Sequence, residues 1–165
     1  MERRVLALLL SVVAAAMLSG TAAAGKRSAW PALPTAGPFL VAHIDAEAKG
    51  RWATVWNSLY PLHKRIVAQG AYARCEAQTP FAVLPLGSVH VVRVRRAPVV
   101  VPGLAHTVAG VAVTVRAEFQ GYGPRDPVVI THTFHLVPVG GRWRWLLSPS
   151  RYQLYLRRGC GAPSE

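Results

Sequence analysis

The chain has 165 residues, with 19 Lys and Arg against 7 Asp and Glu for a formal charge of +12, and only two cysteines. That length holds one ordinary domain with one hydrophobic core rather than several. Two cysteines admit a single intramolecular bond and exclude a cysteine-rich metal site, while the positive excess favours polyanions as neighbours.

The chain opens with an address. Arg3 and Arg4 precede an apolar run from Val5 to Leu18, and Ala22 to Ala24 match a small-residue cleavage site before Gly25. This predicts a secretory signal peptide over 1–24 and an extracytoplasmic, secreted protein. Val5 to Leu18 falls short of the ~20 apolar residues that span a bilayer, so no transmembrane protein is expected after cleavage. The mature chain keeps 141 residues and a charge of +11. Outside the cytosol thiols oxidise, which predicts a Cys75–Cys160 disulfide tying the end of the helical half to the tail.

Residues 25–37, "GKRSAWPALPTAG", are rich in breakers and predict a flexible lead with little fixed structure. From Pro38 the spacing of Leu40, Val41, Ile44 and Ala48 predicts a helix stopped by Gly50. Trp52, Val55, Trp56 and Leu59 continue an apolar stripe, and Leu62, Ile66 and Val67 carry it past Pro61. Proline breaks a helix by removing a donor and clashing with the preceding turn, so two short helices should meet near Tyr60, the second ending at Gly70. Tyr72 to Gln78 adds a last helical turn.

After Phe81 the period changes to two. Val111, Val113, Val115, Ala117 and Phe119 share one face, opposite Thr114, Arg116, Glu118 and Gln120. Val128, Ile130, His132, Phe134 and Leu136 repeat the alternation. Val89 to Val101 predicts another strand, with an edge position or a bulge at Pro98. "RWRWLL" and "RYQLYLRR" read as two shorter strands separated by Ser148-Pro149-Ser150. Pro102-Gly103, the turn Gly121 to Pro127, and Gly140-Gly141 predict hairpins and an antiparallel meander. Helices followed by strands give an α+β fold in which the helices cover one sheet face.

This order resembles the nuclear transport factor 2-like superfamily, a cystatin-like architecture that includes ketosteroid isomerases and polyketide cyclases, and in particular its secreted bacterial members. The resemblance rests on Trp52, Trp56, Leu59, Pro61 and His63, on Tyr72 and Cys75, on "GRWRW" at Gly141 to Trp145, and on Tyr152 and Cys160. It covers residues 38–160. It implies a cone of helices on a curved antiparallel sheet, with a pocket at its open end lined by Trp52, Trp56, Leu59, His132 and Phe134. Isomerases of this type use a carboxylate base and a hydrogen-bonding acid. No Asp or Glu falls on an apolar strand phase here, since Glu118 faces with Thr114 and Arg116, and Asp126 sits in a turn, so that dyad does not carry over.

Two polar residues could instead face inward. His132 lies in phase with Ile130 and Phe134, and Asp45 follows Val41 by one helical turn; converging, they would form a general base for an isomerase, cyclase or hydratase. His132 and His135 point to opposite faces, and no other histidines have chelating spacing, so no metal and no cofactor is expected. Arg93, Arg95, Arg142, Arg144, Arg151 and Arg157 lie on strand-like segments that could align as a basic face toward an anionic envelope component; nucleic acid is not expected of an exported chain. A homodimer through the sheet would need an apolar patch, against which Thr131, Thr133 and Arg116 argue. The reading is a secreted, non-enzymatic binding domain for a small molecule or envelope component, with the His132/Asp45 enzyme as its alternative.

Overall fold

The computed structural model describes residues 30–78, 85–120, 127–157 and 159–160. The expected signal peptide at 1–24, the expected turn at 121–126 and the tail 161–165 lie outside them. A 3-10 turn at Leu33–Thr35 leads into α1 (Ala36–Ala48), followed by α2 (Trp52–Ser58), α3 (Pro61–Ile66) and α4 (Gln69–Glu76). Strands β1 (Leu86–Val100), β2 (Thr107–Phe119), β3 (Val128–Val139) and β4 (Arg142–Trp145) follow, and then α5 (Pro149–Leu156). The strands form one antiparallel sheet in chain order, so the fold is α+β with an open four-stranded meander.

The helix breaks have visible causes. Leu59 and Tyr60 are extended, and Pro61 starts α3 where its missing N–H is harmless. The end expected at Gly70 is corrected to Val67, whose extended backbone (φ −142°, ψ 122°) buries its side chain and turns its carbonyl to Trp56 Nε1, which donates to it at 3.0 Å. Gly70 lies inside α4, which is a helix in its own right. A second correction concerns "RYQLYLRR". It is helical: Ser148 Oγ accepts the Arg151 N–H, Pro149 takes the first turn, and Tyr152 and Tyr155, three residues apart, bury on one face.

The lead expected to have little fixed structure is docked from Trp30 onward. Trp30 meets Trp143 edge-on at 6.1 Å, Arg96 lies over the Trp30 ring at 5.0 Å, and Trp143 Nε1 donates to Thr35 Oγ1 at 2.9 Å. Ala36 behind them is fully buried.

Pairing in the sheet places Val111, Val113 and Val115 under Leu40 and Ile44 of α1, a core shared with Trp143 and Leu136. A second cluster of Val55, Leu59, Tyr72, Leu147 and Tyr155 packs among the helices. Val99, Val101 and Val137 form a small third one with Tyr60, Leu104 and Leu146. Pro98 occupies edge strand β1 as expected, but the register shifts fall at Leu86/Ser88 and Val91/Arg93 rather than at the proline. Gly110 of β2 has no room for a side chain, since a Cβ there would sit 2.5 Å from the Leu136 carbonyl oxygen and 2.6 Å from Val99 Cγ2. At the β3–β4 hairpin, Gly140 and Gly141 both hold positive φ, 59° and 73°, as a tight two-residue turn requires.

Cys75 at the end of α4 and Cys160 beyond α5 are brought together with Cα atoms 5.3 Å apart, within disulfide range. Among the described residues no helix is long and apolar enough to cross a membrane.

Candidate functional site

Between the helices and the sheet lies a cavity of about 390 Å³. Val115, Ala117 and Phe119 of β2 and Ile130, His132 and Phe134 of β3 form its sheet wall. The register explains this, because Val115 pairs with His132, Val113 with Phe134 and Ala117 with Ile130, so the alternation read along each strand lands on one face. Opposite stand Ile44, Glu47 and Ala48 of α1, Trp52 of α2, Glu76 of α4 and Arg151 of α5.

Of the pocket residues expected from the sequence, Trp52, His132 and Phe134 line this cavity. Trp56 and Leu59 do not. Leu59 is fully buried in the inter-helix core, and Trp56 packs against that core with Lys64 4.6 Å above its ring. His132 meets Phe134 edge-on at 4.5 Å.

Asp45 is not a cavity residue. Its carboxylate pairs with Lys49 Nζ at 2.7 Å and with the Arg51 guanidinium, and the Lys49 hydrogen bond leads the effects that hold its pKa below the ordinary carboxylate value. The carboxylates that line the cavity with His132 are Glu47 and Glu76. Glu76 accepts from the Tyr155 hydroxyl at 2.5 Å and lies 3.4 Å from Arg151. Burial pushes the Glu76 carboxyl up from its usual range, against the pull of Tyr155 and Arg151.

Glu47 has a different neighbour. His43 Nε2 stands 3.2 Å from Glu47 Oε1, and His43 Nδ1 is 2.9 Å from Ser58 Oγ. The His43 ring is buried, tilted against Trp145 at 4.0 Å and stacked with Phe39 at 6.3 Å. Glu47 is not an expected site residue, because which face of a helix turns inward is fixed only by its packing. The signal was the stripe Leu40, His43, Ile44, Glu47 at three and four residues, all facing the sheet side of α1.

The arginines do not form one face. Arg93 and Arg95 of β1 stand on the uncovered sheet face with Arg116 of β2, which pairs with His90 and Thr131. Arg93 lies opposite Thr114, and Arg95 opposite Ala112, which in turn faces His135. Burial, followed by the charge of Arg95, lowers the His135 pKa. Arg142 is exposed, Arg144 donates to the Asn57 carbonyl at 3.1 Å, Arg151 belongs to the cavity, and Arg157 caps α5. No three His, Cys, Asp or Glu side chains cluster as a metal site among the described residues.

No family model, no curated protein and no solved structure matches this chain.

Proposed function

We propose that this is an exported, disulfide-tied binding domain of nuclear transport factor 2-like architecture, holding a small, largely apolar molecule between its helices and a conically curved sheet. The carrying observation is the cavity itself. At about 390 Å³ it falls within the range of small-molecule sites, and apolar walls with a few convergent polar groups are their usual make-up. The leader at 1–24, the cysteine pair and the helix-then-strand order support the exported, cone-like part of the reading.

A panel of uncharged apolar probes is expected to raise the melting temperature by several degrees, since a ligand at a hundred times its Kd adds about 2.7 kcal/mol to the native state. Ala117→Trp, which fills the cavity from the sheet side, should remain folded and lose that response. Probes that shift the wild type and Ala117→Trp equally would show that they bind elsewhere, and no response in either would end the cavity reading.

A second reading concerns the uncovered sheet face, where Arg93, Arg95 and Arg116 stand beside threonines and histidines. An anionic envelope surface is its matching partner. Vesicles containing anionic lipid are expected to bind the protein in a salt-sensitive way, and the triple Arg→Gln variant at 93, 95 and 116 to bind on the order of a hundredfold more weakly, at about 1 kcal/mol for each charge near the surface. Salt-insensitive binding, or binding unchanged in the triple variant, would refute it.

A further inference from the structure

With 7 acidic side chains against 19 Lys and Arg, a carboxylate without a Lys or Arg partner is conspicuous on numbers alone. Asp45 holds Lys49 and Arg51, and Glu76 holds Arg151 and the Tyr155 hydroxyl. Glu47 lines the cavity and has no Lys or Arg within ion-pair distance among the described residues; its one ionisable contact is His43. Glu118 also lacks a basic partner among them, but it stands outside this cavity, opposite Ser88 and Val129.

Proton bookkeeping sharpens the point. The Ser58 hydroxyl donates its only proton to the Val55 carbonyl at 2.7 Å, so Ser58 Oγ must accept from His43 Nδ1–H. His43 Nε2 is buried 3.2 Å from Glu47 Oε1 and makes no hydrogen bond. The ring lies between Phe39 and Trp145.

Trp52, Phe119 and Phe134 line the same cavity. Aromatic faces beside a carboxylate recognise organic cations, through the ring quadrupole and the full negative charge together. The remaining charged and titratable groups of the cavity do not oppose this. Arg151 is held by Glu76, and His132 belongs to the sheet wall across from Glu47.

We propose that the ligand of this cavity is a small organic cation, an apolar body bearing one ammonium group, with the ammonium against Glu47 and the body among Trp52, Phe119 and Phe134. The inference rests on the cavity reading above and adds the charge of the ligand.

The test uses two probes of one shape, benzyltrimethylammonium and its uncharged carbon isostere neopentylbenzene, titrated into the intact protein by calorimetry. The cation is expected to bind at least about tenfold more tightly. Glu47→Gln, or Glu47→Met if the first variant does not fold, should erase that preference. Added sodium chloride should erode only the cation's advantage in the wild type. Equal affinities in the wild type, or a preference that survives at position 47, overturn the cation assignment and leave the cavity reading intact. Failure of both probes to bind overturns the two together.

Discussion

His63→Ala is expected to cost about 3–5 kcal/mol and to lower the melting temperature by roughly 10 °C or more. The side chain is fully buried and serves three distant segments at once. Its Nδ1 accepts the Leu147 N–H at 3.1 Å, and its Nε2–H donates to the Pro102 carbonyl at 3.0 Å. Its ring also packs against Tyr152 at 5.3 Å and Tyr60 at 5.7 Å. Truncation leaves a cavity and two buried backbone groups without partners, each costly in a dry interior. His63→Phe restores the volume but neither hydrogen bond, so it should recover only part of the loss in urea melts. Full recovery would assign the effect to packing alone.

The same residue sets an acid limit. Burial lowers the His63 pKa from its ordinary 6.5, with the Pro102 hydrogen bond acting the other way. The unfolded chain then binds the proton more readily than the folded one. This contribution to stability is whole above pH 6.5 and is lost as the pH falls from there through the folded-state value. The stability difference between wild type and His63→Phe should therefore shrink on acidification between neutral pH and about pH 5.

Reducing the Cys75–Cys160 bond is expected to destabilise the protein by roughly 4 kcal/mol, because the bond closes a long loop, with 85 residues of sequence separation. Cys75 belongs to the same core as Tyr72, Tyr155 and Leu147, so the bond clamps α4 to the segment after α5. Those two helices also carry Glu76 and Arg151 into the cavity wall. Reduction should thus weaken probe binding as well as lower the melting temperature. Intact mass before and after reductant reads the bond directly, and a melting temperature indifferent to reductant would refute its structural role.

What was legible in the sequence followed from periodicity. The alternation in β2 and β3 survives in the register, and His132 reached the cavity wall because its phase with Ile130 and Phe134 fixed its face. Pro61 marked the α2–α3 break, since its ring acts locally. α5 departs from the expected strand although its signature is present: Ser148-Pro149 is a helix start, and Tyr152 and Tyr155 stand at helical spacing, yet Tyr-x-Leu-Tyr also tolerates a strand reading. The break at Val67 had no local signal, because it comes from burial of that side chain and from Trp56 capturing its carbonyl. Counting one helical turn from Val41 points to Asp45. The face of α1 that meets the sheet instead runs through Leu40, His43 and Ile44, a choice made by tertiary packing.

The docking of Trp30 against Trp143 and Arg96 limits how far the domain can stray from wherever its first residues are held. Only six peptide steps separate Ala24 from Trp30, a contour of about 20 Å at full extension. If residues 1–24 act as the expected signal segment and stayed embedded, the domain would ride directly on the lipid headgroups as a short-leashed passenger, whereas trimming before Gly25 would free it to diffuse.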